Sequence, residues 1–372
     1  IQLNHLKWEV VTQKNLGLDV ALWKNNLMLT ADIYDKMTDD LLQSNVKISS
    51  ATGFGTVNYF NSGKVRNYGW EFRVDIRNVV KTERFNLGFN LNIARNRNEI
   101  KELPTNMKKV DYSPGNGNYA QMVHEGEPLG SFYGYRYLGV YQNVGETIAR
   151  DRNGALVYNL NDEPVRTQIG LNQGSPYTLQ PGDAHYQDIN YDGMIDEYDL
   201  VYIGNSMPSL TGGFGININY GDFKLRTFFH SRLGQSVINR TRINMENMYG
   251  KNNQSQAVLK RWRHEGDQTD IPRALYSVGY NWLGSDRFVD DASFLRLKQL
   301  TLTYSFPKPL LKKWGISRAE VYVTGYDLFT WTKYKGQDPE VGFVRHNLYE
   351  YAEDTSFTPR PVRMALGVSV DF

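Results

Sequence analysis

Hydrophobic and polar residues alternate with a period of two in many segments of this chain. In the segment 362–372 every even position is apolar, and every odd position is charged, small or hydroxylic. Successive side chains of a β-strand point to opposite faces, so this pattern predicts a strand with one apolar face. Such a strand fits either the edge of a soluble sandwich or a membrane barrel, in which one face meets lipid and the other a polar lumen.

The same alternation recurs along the chain and predicts about ten antiparallel strands. In the first segment, Leu16 and Leu18 alternate with polar or small residues, and a polar break at 24–26 predicts a tight hairpin turn. The segments with this pattern are 10–23, 27–33, 70–76, 85–93, 214–220, 223–229, 300–306, 320–331 and 362–372.

The connections between these segments alternate between short and long. Short breaks lie near 24–25, 78–81, 221–222 and 306–317, and long ones span 43–62, 98–210, 234–291 and 333–361. A Greek-key sandwich would mix the lengths, whereas an up-and-down barrel has short periplasmic turns and long outer loops. The chain is therefore predicted to be all-β, a transmembrane antiparallel up-and-down β-barrel with long extracellular loops. Charged residues of one face, such as Glu71 and Arg73, would line its water-filled lumen.

Composition is compatible with this interpretation and narrows the function. The 40% hydrophobic content and mean hydropathy of −0.53 resemble a soluble protein, but a polar lumen and polar loops lower these averages in barrels. The 25 Tyr favour interfacial girdles or a surface that binds sugar or peptide. A net charge of +2 gives no reason to propose nucleic acid, and the absence of Cys excludes disulfides and thiol chemistry. Residue 1 is Ile with no signal peptide before it, so the chain is expected to be a fragment.

An EF-hand-like loop at 188–199 carries the clearest chemical signal. Oxygen ligands fall at loop positions 1, 3, 5, 7, 9 and 12, with Met194 offering its carbonyl and Gly193 making the turn at position 6. Position 12 is usually Glu, and the shorter Asp199 is expected to weaken ligation through two oxygens. The loop predicts a structural calcium ion, with an acidic turn that binds nothing as the alternative. The predicted ligands are Asp188, Asn190, Asp192, Met194, Asp196 and Asp199.

Aromatic residues cluster in the long loops and are candidates for contacting substrate. They would stack on sugar rings or grip peptide, but long loops also pack themselves with their own aromatic residues. The candidates are Tyr133, Tyr135, Tyr249, Trp262 and Trp282. A helical pattern at 255–263 is interpreted as a brace within its loop. The scattered His residues and the absence of a metalloprotease motif or a phosphate-binding Gly-rich loop predict that the protein is not an enzyme.

Motifs along the whole chain resemble the barrel of SusC/RagA-type TonB-dependent transporters. The segments that carry the resemblance are Leu6-Lys7-Trp8-Glu9, Asn61-x-Gly63-x-Val65-x-Asn67-x-Gly69-x-Glu71, Gly126-x-Pro128-x-Gly130-Ser131-Phe132-Tyr133-Gly134-Tyr135, Tyr202-Ile203-Gly204-Asn205, Asp270-Ile271-Pro272-Arg273, Ala292-Ser293-Phe294-Leu295-Arg296-Leu297-Lys298 and Gly325-Tyr326-Asp327-Leu328-Phe329-Thr330-Trp331.

The resemblance implies an outer-membrane barrel of about 22 strands, of which this chain would be the C-terminal part. Such barrels import oligosaccharides or oligopeptides beneath a SusD-like surface lipoprotein and are energised through the TonB complex. The plug domain, the TonB-contacting segment and the other strands would lie outside this sequence. The resemblance also implies that Phe372, on the last strand, is the signal read by the barrel assembly machinery.

Two other functions are compatible with the sequence. A barrel of this family could act as a structural or assembly subunit of a larger outer-membrane complex without transport. A soluble, calcium-dependent sugar-binding protein is the third class, and it would stay soluble without detergent.

Overall fold

The computed structural model describes residues 6–47, 56–61, 63–103, 115–120, 124–171, 175–340 and 352–372. The predicted loops at 43–62, 98–210 and 333–361 each include residues outside these ranges. The strands are β1 (Val10–Leu22), β2 (Leu27–Asp39), β3 (Leu42–Lys47), β4 (Thr56–Asn61), β5 (Lys64–Lys81), β6 (Phe85–Glu102), β7 (Ser131–Gly134), β8 (Tyr137–Val140), β9 (Gln168–Ile169), β10 (Tyr177–Thr178), β11 (Ala184–Tyr186), β12 (Met194–Ile195), β13 (Val201–Asn205), β14 (Leu210–Tyr220), β15 (Phe223–Leu233), β16 (Ser236–Ile238), β17 (Val289–Asp291), β18 (Phe294–Ser305), β19 (Arg318–Thr332) and β20 (Arg363–Asp371).

The helices are short. The α-helices are α1 (Arg240–Glu246) and α2 (Lys308–Lys312), and 3-10 helices lie at Val144–Thr147, Glu197–Asp199, Gln256–Lys260 and Asp286–Phe288. Within the described ranges, no helix has the length and apolar character needed to cross a membrane.

Nine long strands form one antiparallel sheet that follows the order of the chain. The order is β1-β2-β5-β6-β14-β15-β18-β19-β20, so each strand pairs with the long strands before and after it. This arrangement confirms the predicted all-β, up-and-down antiparallel fold, with nine described strands where the sequence predicted about ten. Strands β1 and β20 are the two edges, and the sheet is not closed among the described residues.

Strand register gathers the apolar residues on one face of this sheet. Residues directly opposite each other on paired strands share a face of the sheet, so the cross-strand rows show which residues lie on each face. Two rows illustrate the apolar face: Leu18, Ala31, Phe72 and Ile93 on β1, β2, β5 and β6, and Leu225, Leu302, Val323 and Leu366 on β15, β18, β19 and β20. Leu16 and Leu366 are each 75% exposed, so this apolar face points away from the protein. We call it the outward face.

The opposite, inner face of the sheet is polar. Its rows include Asp32, Glu71 and Ala94 on β2, β5 and β6, and Asn217, Arg226, Thr301 and Thr324 on β14, β15, β18 and β19. A face of this kind is solvated in the lumen of a barrel. The alternation predicted from sequence therefore becomes two chemically distinct surfaces.

The two ends of the sheet differ in the length of their connections. At one end, short turns follow β1, β5 and β14, and the turn after β18 holds α2. At this end the outward face carries an aromatic row, in which Tyr220 lies opposite both Phe85 and Phe223, and Phe223 lies opposite Tyr304. The long connections all leave from the other end. The predicted alternation of short and long connections is confirmed, and the aromatic row is typical of a girdle at a membrane interface.

The described residues of the connections between β6 and β14 and between β15 and β18 fold into a packed layer with its own core. Their short strands pair as β7 with β13, β8 with β11, β16 with β17, and β9 with both β10 and β12. Among the described residues, the largest buried cluster lies here and includes Tyr135, Tyr141, Tyr186, Ile195 and Leu283. The core of the described protein therefore lies mainly in these two connections, above a sheet whose outward face is apolar and exposed.

Candidate functional site

Two long connections, 103–209 and 234–293, hold each other in place above the sheet. The Tyr186 hydroxyl donates a hydrogen bond to the carbonyl of Tyr280 at 3.0 Å and accepts one from the backbone N–H of Leu283 at 3.0 Å. The backbone N–H of Tyr135 donates to the carbonyl of Gly284 at 2.9 Å. Bonds between residues so far apart in sequence join the two loops into one layer. We call it the loop layer.

An ion pair inside the loop layer also joins these two connections. The Arg273 guanidinium donates to Asp183, with Nε 2.7 Å from Oδ1, and the Tyr177 hydroxyl donates to the same carboxylate at 3.0 Å. Asp183 is fully buried. Burial and the adjacent Asp183 charge raise the pKa of Tyr177 to about 12, so its hydroxyl stays protonated as a donor. Arg273 is the last residue of the Asp270-Ile271-Pro272-Arg273 motif, so this motif contributes an arginine that joins the two connections.

The five aromatic candidates are not brought together into one surface. Tyr135 is fully buried in the loop core, and Tyr133 and Trp262 are 5% and 9% exposed. Tyr133 lies against the rings of His124 and Tyr202, with centroids 5.1 and 6.1 Å away. The burial of these three rings agrees with the alternative interpretation, in which the long loops pack on their own aromatic residues.

Tyr249 and Trp282 form a separate, half-buried pair. Their ring centroids are 5.5 Å apart at an angle of 56°. The Trp282 indole N–H is buried and makes no hydrogen bond within the described residues. Of the five candidates, this pair is the best placed to contact a ligand. The substrate-binding role of all five residues stays a prediction.

The EF-hand-like loop has its acidic side chains folded onto its own backbone. Asp188 accepts hydrogen bonds from the N–H groups of Tyr191 and Gly193, at 2.6 and 2.8 Å. Asp199 accepts from Ile189 at 2.7 Å and from Asp196 at 3.0 Å, which ties the end of the loop to its start. Gly193 has a φ of +82°, which a glycine adopts without strain. The turn predicted at position 6 is present.

The predicted calcium ligands do not converge in this conformation. No group of three or more His, Asp or Glu side chains in the described ranges is arranged to hold a metal ion. Burial raises the pKa of Asp199 to about 6, and burial likewise raises the pKa of Asp188 and Asp196. A nearby cation would stabilise the ionised form of such carboxylates. The oxygen-rich donor set is of the type that calcium prefers.

A buried ionic cluster that the sequence did not reveal lies where β18 and β19 meet the following loop. Arg296 is 2% exposed and donates to Asp338 and Glu340, each at 2.6 Å. Lys298 donates to Asp327 at 2.9 Å and to Glu340 at 3.1 Å. The sequence shows Arg296 and Lys298 two residues apart in a predicted strand, which places them on one face. It does not identify the carboxylates that pair with them.

Comparison with known proteins shows that the chain is similar to TonB-dependent receptors. The model of a family described as TonB dependent receptor-like, beta-barrel, matches residues 2–166. TonB-dependent receptor P3 of Formosa agariphila is 32% identical over 347 residues, covering 92% of this chain and 32% of that protein. TonB-dependent receptor SusC of Bacteroides thetaiotaomicron is 28% identical over 384 residues, covering 99% of this chain and 32% of that protein.

A solved structure shows the same fold. The RagAB peptide transporter superposes with a TM-score of 0.72 at 24% identity, covering 99% of this chain and 36% of that one. The chain spans about a third of the length of the relatives it matches.

Proposed function

Because this chain belongs to the TonB-dependent receptor β-barrels of the outer membrane, we propose that it forms part of a SusC-like nutrient importer. The cargo would be oligosaccharides or oligopeptides, taken up in a TonB-dependent manner. The polar inner face of the nine-stranded sheet carries this proposal, since a solvated wall beside an apolar outward face suits a hydrophilic solute crossing a membrane. No catalytic role is proposed.

A surface lipoprotein of the SusD type is the proposed partner. It would cover the loop layer, which stands at the end of the sheet opposite the short turns. The similarity to SusC and to the RagAB peptide transporter supports this assignment. Contact with the TonB complex would be made by parts of the protein outside the described residues.

Uptake in cells tests the transport proposal. A strain lacking the protein is complemented with the intact gene and offered labelled oligosaccharides and labelled oligopeptides in parallel. We expect accumulation of one class to be restored, and to stop when TonB is inactivated. If both classes accumulate equally with and without the protein, although the barrel is folded in the outer membrane, the alternative of a structural subunit without transport is favoured.

We also propose that the loop Asp188–Asp199 binds one calcium ion of structural function. Its four aspartates, at positions 188, 192, 196 and 199, repel one another unless a cation is present, and the pKa values of three of them are raised. The ion would be held by carboxylate and amide oxygens and by the Met194 carbonyl. We place the loop on the extracellular side, where a dissociation constant of about 10⁻⁴ to 10⁻³ M would suffice.

Chelation is expected to loosen this loop while leaving the barrel intact. Limited proteolysis of the wild type should become faster at 188–199 when chelator is added, since the carboxylates lose their shared cation. The double variant Asp188→Ala/Asp192→Ala should be cut at that fast rate with or without chelator. Equal cutting of the wild type in both conditions, with no metal at the loop in a structure determined with calcium, would contradict the site.

A further inference from the structure

One cross-strand row of the inner face carries large side chains on four neighbouring strands. Phe228 on β15 lies opposite Gln299 on β18. Gln299 lies opposite Tyr326 on β19, and Tyr326 lies opposite Arg363 on β20. Each of the four is two residues along its strand from the inner-face row through Thr301, so all four share that face. We call these four residues the inner ring row.

The two aromatic side chains of this row are placed to contact a solute. Neighbouring strands lie about 4.8 Å apart, so Phe228 and Tyr326 are separated by about 10 Å across the sheet. The Phe228 ring leans over the next strand, where a Cβ atom added to Gly213 would lie 3.0 Å from it. Phe228 is nevertheless 41% exposed, on a face that is otherwise polar. An exposed ring beside a solvated lumen offers a flat apolar surface for stacking.

Small side chains follow the inner ring row in the direction of the short turns. They are Thr301, Thr324 and Ala365 on β18, β19 and β20, and the two threonine hydroxyls lie 3.0 Å apart. Beyond them the ring of Tyr322 lies against β20, where a Cβ atom added to Gly367 would collide with it. Tyr322 is about 13 Å along β19 from the inner ring row. The small side chains therefore leave a recess that is bordered by three aromatic rings.

Two arginines at the border of this recess retain free hydrogen-bond donors. Arg226 lies opposite Thr301, and the Arg363 guanidinium lies 5.4 Å from the centre of the Tyr326 ring. Among the described residues, neither guanidinium takes part in an ion pair or a hydrogen bond. On β15, β18, β19 and β20 these two rows contain no Asp or Glu. Because donors exceed acceptors here, the surface suits a ligand with negative charge.

An oligosaccharide matches this combination better than a peptide does. A pyranose ring has an apolar C–H face that can stack on an aromatic ring, and its hydroxyls can bond to the Gln299 amide and the threonine hydroxyls. A peptide that adds to a sheet needs an unpaired strand edge, and β15, β18 and β19 are each paired on both sides. Only side chains are therefore available for recognition at this surface.

We propose that the inner ring row and the recess beside it bind an acidic oligosaccharide as it passes through the barrel. Its sugar rings would stack on Phe228 and Tyr326, and its carboxylate or sulfate groups would accept hydrogen bonds from Arg226 and Arg363. Tyr322 would contact the sugar chain as it moves towards the short turns. This inference rests on the proposed import function and assigns the chemical class of the cargo.

Calorimetric binding to the complete barrel in detergent tests the site without requiring transport. Four probes are compared. Two are acidic sugars, a tetramer of galacturonic acid and a sulfated galactose tetramer, and they distinguish carboxylate from sulfate. The third is the methyl ester of the galacturonic acid tetramer, which keeps the sugar rings and removes the charge. The fourth is a tetrapeptide of glutamate, which keeps the charge and removes the sugar rings.

Two double variants separate stacking from charge. Phe228→Leu/Tyr326→Leu removes both rings and keeps apolar side chains, and we expect about tenfold weaker binding of the acidic sugar. Arg226→Gln/Arg363→Gln should also weaken that binding about tenfold, because charge-assisted hydrogen bonds are lost. The second variant should leave binding of the methyl ester unchanged. Heat-modifiable migration in gels confirms that each variant is folded.

The control variant is Lys36→Gln/Arg73→Gln, which removes the same charge from the inner face of β2 and β5 and should bind like the wild type. The proposal is overturned if neither acidic sugar binds the wild type, if the control loses as much affinity, or if the leucine variant binds normally. Tighter binding of the glutamate peptide than of either sugar also overturns it. Continued TonB-dependent uptake of labelled oligopeptides in cells would then leave the import function standing, whereas loss of all uptake would refute that function itself.

Discussion

Replacing Arg296 by Ala is expected to destabilise the loop after β19 by about 3 to 5 kcal/mol, the range found when one partner of a buried ion pair is removed. The Arg296 side chain is 3% exposed, and the carboxylates of Asp338 and Glu340 that it contacts are 5% and 7% exposed. Without the guanidinium these carboxylates would remain buried and only partly paired. Burial by itself would raise the pKa of Asp338. The hydrogen bonds that its carboxylate accepts, chiefly the one from Arg296, have a larger combined effect, so the pKa is lowered.

The cluster fastens both ends of one loop to the barrel wall. Asp338 and Glu340 precede the residues outside the described ranges, and Arg360 follows them, with its Nε 3.1 Å from Glu340. Loss of Arg296 should therefore release the loop while the sheet persists. Limited proteolysis should show new cuts between 333 and 361, and hydrogen exchange should rise there first.

The matched control is Arg318→Ala on the neighbouring strand. Arg318 is 59% exposed and pairs with Glu320 at 2.9 Å, and Glu320 keeps a second partner in Lys224 at 2.6 Å. Exposed pairs contribute about 0 to 1 kcal/mol, so this variant should retain the wild-type cutting pattern. If both variants behave alike, the buried cluster does not hold the loop.

The sequence predicted the membrane-spanning part of the fold because lipid and lumen impose a strict alternation on each strand. It placed the ends of the longest strands less well. The pattern ended at Ile93, although β6 continues to Glu102, and it began at Trp70, although β5 starts at Lys64. Beyond the bilayer the outward residues become charged, so the apolar period stops while backbone pairing continues. Hydrophobic periodicity therefore measured the lipid-facing length of these strands.

The loop layer was beyond the reach of pattern analysis. Its strands are two to five residues long, and their partners are distant in the chain, as in the bond from Tyr135 to Gly284. The helical pattern at 255–263 proved to be a 3-10 helix, Gln256–Lys260, capped by the Ser255 side chain, and the seven-residue α1 was missed. Such elements are specified by tertiary packing, which a single sequence does not display.

Replacing Leu366 by Arg should cost about 2 to 4 kcal/mol of barrel stability, because a charge would be placed in lipid near the middle of a spanning strand. Leu366 is 75% exposed on the outward face and lies opposite Val323. The adjacent inner-face position, Ala365, lies opposite Thr324 at nearly the same depth and faces the polar side of the sheet. Arg at that position would be solvated, so Ala365→Arg should cost much less.

The choice of Ala365 as control follows from the packing of β20. Gly367 is also on the inner face, but a side chain at that position would collide with the ring of Tyr322. A loss of stability in a Gly367→Arg variant would therefore reflect this clash and not the solvent that the inner face meets. Unfolding in denaturant, followed by heat-modifiable migration in gels, compares the two arginine variants in lipid vesicles. Equal stability of Leu366→Arg and Ala365→Arg would mean that the two faces of β20 meet the same solvent, and the lipid-facing assignment of the whole apolar surface would fail. A difference near 2 kcal/mol or more would fix the orientation of β20, and through the pairing of neighbouring strands it would fix which face of the nine-stranded sheet meets lipid.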